Sequence, residues 1–93
     1  MKKKTFNFYS DPSHGWLAVK RNYLKQLNIL NEITRYSYEK GQTVYLEEDK
    51  DMALFLSALE KNKTFYLIKE HFTNKMSQIR YYNYFELIQE DLD

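Results

Sequence analysis

The hydrophobic period of this chain switches from two to about 3.6 and back again, twice, and no other feature of the sequence restricts the fold as much. Thr5–Tyr9 alternates, with Phe6 and Phe8 on one side and Thr5, Asn7 and Tyr9 on the other, which predicts a strand. Ser10-Asp11-Pro12-Ser13-His14-Gly15 reads as a turn: Asp and Ser fold back on local amides, Pro fixes φ and Gly permits φ > 0. Trp16–Val19 then predicts a second strand, hairpinned to the first, with Leu17 and Val19 inward. Lys20 to about Leu27 places Tyr23, Leu24 and Leu27 at helical spacing, and Asn28 before Ile29 suits a left-handed C-cap.

The same order recurs. Ile33–Tyr38 and Thr43–Glu47 read as a hairpin around Glu39-Lys40-Gly41-Gln42, with Val44 and Leu46 toward the core and Thr43 and Tyr45 away from it. About Lys50–Asn62 is the clearest helix, because Met52, Phe55, Leu56 and Leu59 form one apolar stripe. The preceding Glu47-Glu48-Asp49-Lys50-Asp51 supplies carboxylates to cap its free amides. Thr64–Phe72 and Gln78–Phe85 read as a last strand pair around Thr73-Asn74-Lys75, followed by an acidic tail over residues 86–93. The expectation is one α+β domain over residues 1–93, with residues 1–4 and 86–93 prone to fray. Its architecture is ββα-ββα-ββ: a mostly antiparallel sheet of five or six strands with two helices on one face.

A chain of 93 residues holds one domain and can build a core without staples. Cysteine is absent, which excludes disulfides, thiolate zinc sites and a Cys nucleophile. The start Met1-Lys2-Lys3-Lys4 leads into no apolar stretch of a secretory signal, and no run approaches a membrane span, so the host cytoplasm is the default compartment. Net charge is +1, but residues 1–46 carry eight Lys/Arg against three Asp/Glu, and residues 47–93 carry six against ten. The halves either form opposite faces or are interleaved by folding.

Few chemical constellations survive inspection. Asp11, Ser13 and His14 suggest a hydrolase triad, yet neighbouring turn residues do not converge with the base between nucleophile and acid. His14 and His71 lie at no metal-ligand spacing, and the 47–51 run lacks the alternating oxygens and central Gly of a calcium loop. Carboxylate pairs in that run lack the apolar setting that raises one member for acid catalysis. Gly15 and Gly41 are too far apart for a phosphate loop. No enzyme activity, metal or cofactor is therefore expected.

Two binding surfaces remain. Sixteen aromatic residues are more than one core needs, and alternation sends Tyr9, Trp16 and Tyr45 away from the helices. Tyr36 and Tyr38 share one side of their strand, as do Arg80, Tyr82 and Tyr84. Trp16, Tyr36, Tyr38, Tyr45, Tyr82 and Tyr84, with His14 in the adjacent loop, are the candidate contacts for a protein partner, whether a foreign chain or a second copy. The alternative is a nucleic-acid patch of Lys2, Lys3, Lys4, Lys20, Arg21 and Lys25 beside Tyr9 and Trp16.

Two stretches stand out as a pair. They are Phe8-Tyr9-Ser10-Asp11-Pro12-Ser13-His14-Gly15-Trp16-Leu17-Ala18-Val19, and Tyr36-Ser37-Tyr38 through Gly41 to Val44-Tyr45-Leu46-Glu47-Glu48-Asp49. Together they resemble a family of small proteins carried by phages, prophages and plasmids, over roughly residues 5–60. Gly is expected in that pattern where this chain has Ser13 and Asn28. The resemblance implies a mobile-element origin and carries no assigned activity. By analogy with other small phage-borne proteins, it suggests an anti-CRISPR-like inhibitor that covers a surface of a host defence protein.

Overall fold

The computed structural model describes residues 3–92. Strand β1 (Lys3–Ser10) turns into β2 (Gly15–Lys20), which runs into helix α1 (Arg21–Gln26). After a 3-10 turn at Leu30–Glu32 come β3 (Tyr38–Lys40), β4 (Thr43–Glu47) and helix α2 (Asp51–Lys61). β5 (Phe65–Phe72), a 3-10 turn at Gln78–Tyr81, β6 (Asn83–Tyr84) and a 3-10 turn at Gln89–Leu92 complete the chain. The strands form one six-stranded sheet in the order β5-β1-β2-β4-β3-β6.

The α+β class and the six strands agree with the sequence reading; the expected topology does not. The sheet is mixed: β1 and β5 run parallel through an eight-residue ladder, the longest in the sheet. The ββα-ββα-ββ order fails at its end, because β5 and β6 lie at opposite edges and never pair. α2 causes the first departure. It carries the chain from β4 back past β2 and β1, so β5 starts at the same end as β4 and lies parallel to β1. A crossover of this kind needs a helix-length connection, whereas an antiparallel partner would need only a tight turn. To reach β6, residues 73–82 then cross about five strand spacings, roughly 24 Å, over the sheet. The expected Gln78–Phe85 strand is therefore a strap with a 3-10 turn, and only Asn83–Tyr84 pairs, with β3.

The principal core fills the space between the sheet and the two helices. Phe6, Leu17, Val19, Val44 and Leu46 project from the sheet as alternation requires, and meet Leu24 of α1 and Phe55 and Leu59 of α2. Phe6 packs edge-on against Phe55 at 5.0 Å and stacks on Tyr23 at 6.2 Å.

Both helices end in the same motif. Asn28 at φ 61° donates to the Lys25 carbonyl while Ile29 donates to that of Leu24, as its sequence indicates. Lys63 at φ 54° repeats this after α2, with bonds from Lys63 to Glu60 and from Thr64 to Leu59, where no Gly or Asn gives warning.

Two local expectations are corrected. Residues 33–37 are not a strand. Ile33 enters the core and Ser37 is wholly buried, its hydroxyl donating to Asp51 Oδ2 at 2.5 Å and accepting from the Glu47 amide at 3.0 Å. That chain is committed to the start of α2 and has no free edge to offer β4. Asp51 is likewise not one more solvated charge of its run. It is fully buried and accepts from the Thr34 amide and hydroxyl, while Glu47 accepts from the Asp49, Lys50 and Asp51 amides as the cap of α2.

Gly15 is required for space and not for a positive φ. A Cβ there would lie 2.3 Å from Cζ of Phe8, whose ring covers the glycine across the hairpin. Ser13 also avoids positive φ. Gly15→Ala is expected to displace Phe8 and cost about 1–3 kcal/mol, measured by urea denaturation. Ser13→Gly should bring no gain.

Candidate protein-binding face

The sheet face opposite the helices carries two rows of rings. Alternation places Tyr9, Trp16, Tyr38, Tyr45 and Tyr84 there, and the strap adds Tyr82. One row runs His71, Tyr9, Tyr45, Tyr82, with successive centroids 4.9, 6.4 and 5.2 Å apart. Ala18, directly opposite Tyr45 in register, leaves the room in which Tyr9 and Tyr45 meet across β2. The other row runs His14, Trp16, Tyr38, Tyr84, at 6.0, 6.2 and 5.3 Å. These spacings are those at which aromatic pairs attract. Two cations sit over the rows: Lys40 Nζ lies 4.9 Å from the Tyr82 ring and the Arg80 guanidinium 5.6 Å from that of Trp16.

Asp11 fastens the strap to this face. Its carboxylate, almost fully buried, accepts from Arg80 Nε at 2.7 Å and Nη2 at 2.9 Å, and from the amides of Ser13, His14 and Ser77. The Arg80 hydrogen bonds hold the Asp11 carboxyl far below the usual carboxylate range, against burial, and Asp11 in turn raises Arg80. Arg80 Nη2 also lies 3.2 Å from His14 Nδ1; since a guanidinium has no acceptor, that nitrogen accepts. Asp11 thus bonds the backbone of His14 and not its ring, so the contact a hydrolase triad would need is replaced by a structural pin. Burial, followed by the Tyr84 hydroxyl, raises the Tyr38 phenol; burial, followed by Tyr82, raises that of Tyr45.

The sequence-predicted contacts divide into groups. Tyr38, Tyr45, Tyr82 and Tyr84 come together with His14 as expected, the first three half-buried and Tyr84 at 56% exposure. Trp16 does not belong with them as a contact: at 1% exposure it is the buried floor beneath His14, Arg80 and Tyr38. Together with buried Ile79 it stands outside the principal core cluster, as a second core under the strap. Tyr36 is 77% exposed but lies before β3 and does not share a strand side with Tyr38. Arg80, grouped with Tyr82 and Tyr84 from the sequence, does join the face, over the Trp16 ring, whereas sequence reasoning missed His71. His71 shares the alternation of Leu67 and Lys69, which would have revealed it once β5 was paired with β1.

The predicted basic patch is dispersed. Lys2 lies outside the described residues. Lys3 is exposed on β1, while Lys4 points to the helix side, 4.7 Å from the Tyr23 ring. Lys20 is on the ring face near Thr43 Oγ1, and Lys25 Nζ donates to the Glu90 carbonyl at 2.8 Å. Arg21 is buried, ion-paired to Glu39 and Asp91 and hydrogen-bonded to the Glu86 carbonyl. The Asp91 hydrogen bond raises Arg21 and the Arg21 hydrogen bond lowers Asp91. Arg21–Asp91, Arg80–Asp11 and Arg35–Glu86 each join the basic to the acidic half of the chain, so folding interleaves the two.

Among the described residues no group of three or more His, Asp or Glu is placed to hold a metal ion, and no helix is long and apolar enough to cross a membrane. No family model, curated protein or solved structure matches the chain.

Proposed function

We propose that this protein is a non-enzymatic binding module that engages a protein partner through its ring-lined sheet face. The observation that carries the reading is the double row itself. Eight rings pack on one another beside the Asp11–Arg80 pin, with Tyr84 and the adjacent Tyr81 turned to solvent at 56% and 77% exposure. Rigid Tyr rings lose little entropy on binding, and Tyr and Arg are enriched at interface hot spots. In line with the phage and plasmid resemblance, the partner is a host defence protein such as a CRISPR or restriction effector, and the outcome is inhibition by occlusion.

A second reading rests on a specific feature of the same face. Lys20, Lys40 and Lys69 lie on it by alternation and Arg80 by its contact with Trp16, with Tyr9, Tyr45 and Tyr82 between them. Rings flanked by cations are what single-stranded nucleic acids stack on.

Pull-down from host lysate with and without nuclease separates the two. The leading reading expects a partner retained after nuclease treatment. It also expects oligonucleotide binding that is weak at low salt and barely changes as salt rises. A partner lost to nuclease, together with a steep fall of oligonucleotide affinity with salt, would replace it with the second reading.

A further inference from the structure

The two edges of the sheet are not alike. The β6 edge is two residues long and runs straight into the pinned C-terminal segment, whereas the β5 edge is eight residues long and, among the described residues, has no strand beyond it. β5 contains no Pro, and neither a bulge nor a covering strand blunts it. Because every second residue of an edge strand turns its N–H and C=O outward, about four residues of β5 present unpaired backbone groups. Three large apolar side chains on this strand are solvent-exposed: Phe65 at 59%, Leu67 at 53% and Phe72 at 68%. An edge with these properties accepts another extended strand.

We infer that β5 pairs antiparallel with β5 of a second copy, about a two-fold axis midway between the two copies of Ile68, to make a continuous twelve-stranded sheet. The sequence of the strand selects both occupant and register. A two-fold axis perpendicular to the sheet must lie midway between the two copies of one residue, so that facing side chains share a side. Centring on Lys69 sets that lysine against itself, and centring on Glu70 does the same to the glutamate; like charges directly opposite repel. Centring on Leu67 shortens the overlap. Centring on Ile68 pairs residues 65–71 throughout and is self-complementary. Phe65 faces His71 of the second copy, the Tyr66 phenol faces the Glu70 carboxylate, and Leu67 lies along the Lys69 stem. Both copies keep their ring rows on one side of the joined sheet. This contact uses the strand edge and meets the ring rows only at His71, leaving Tyr81, Tyr82 and Tyr84 outside it.

The interface is small and falls in the weak class, so it is tested on the full chain by sedimentation equilibrium from about 10 μM to about 1 mM. Wild type is expected to approach twice the monomer mass. Leu67→Lys places lysine opposite Lys69 at both symmetry-related positions and should weaken the dimer at least about tenfold. Leu67→Glu places a carboxylate there and should leave it at least as tight as wild type. Leu67 is exposed, so both variants should keep the wild-type circular dichroism and melting temperature. A wild-type chain that stays monomeric at about 1 mM would overturn the inference. So would a dimer that Leu67→Lys leaves intact, or equal weakening by Lys and Glu.

Discussion

Trp16→Ala should lower the stability of this protein by about 3–5 kcal/mol, the range for removing a large buried ring. For a domain of this size that is a fall of more than about 12 °C in melting temperature. The reason lies in the strap. On an uncovered sheet face Trp16 would lean on its neighbours with one side in water, and truncation would cost on the order of 1 kcal/mol. Here it is 1% exposed, stacked under His14, edge-on to Tyr38 and beneath the Arg80 guanidinium. Removing it leaves a hole where residues 73–82 rest on the sheet. Trp16→Phe keeps a ring in place and should cost about half as much. Urea denaturation followed by far-UV circular dichroism checks both values.

The second large effect belongs to Asp11. Asp11→Ala removes the acceptor of two Arg80 bonds and three backbone amides, one of them from buried Ser77. The expected loss is about 3 kcal/mol, as for a buried pair broken from one side. It should be concentrated in the strap, so the amides of Ile79 and Tyr82 are expected to exchange faster while those of β2 and β4 stay protected. Asp11 also makes stability depend on pH. Its folded pKa is depressed below the ordinary value of 3.8. The unfolded state therefore binds the proton more readily, and the contribution of Asp11 is complete above about pH 4 and declines as pH falls below that value. Asp91, lowered by Arg21, acts in the same sense. Chemical denaturation between pH 7 and pH 2 should show wild-type stability falling in acid, and a shallower fall in Asp11→Ala.

What local pattern can specify, this sequence specifies. The alternation of Thr5–Tyr9 and Thr43–Glu47 and the spacing of Met52, Phe55, Leu56 and Leu59 give the strands, the long helix and the inward residues of the main core. Asn28 marks the end of α1 because its side chain tolerates left-handed backbone. Alternation also reports which side of the sheet a residue takes, but not what later arrives to cover it. Trp16 is on the expected side and buried nonetheless, since its cover comes from Ser77–Tyr82, far along the chain. The error at Arg21 has the same origin. Within Lys20-Arg21 it looks like part of a basic surface, and only the arrival of Glu39 and Asp91 makes it a buried anchor. The parallel pairing of β5 was hidden for a related reason: Thr73-Asn74-Lys75 is a plausible hairpin turn, and nothing local discloses that α2 has already set the direction of the strand.

At the candidate face, the tyrosines of β3, β4 and β6 were legible, because period-two spacing fixes their side. The pin that orders them was not. Asp11 reads locally as a turn residue that binds its own amides, which it does through Ser13 and His14. Its stronger partner, Arg80, is 69 positions away in sequence.

The measurement that bears most directly on the ring face as a binding surface compares folding with partner capture in Tyr81→Ala and Tyr84→Ala. Both side chains are more than half exposed, so each variant should unfold within about 1 kcal/mol of wild type. If the rows serve a partner, at least one of these variants retains the wild-type denaturation curve and loses the nuclease-resistant partner. Full capture by both variants, with wild-type stability, would contradict the account and leave the rows as packing for the second core alone.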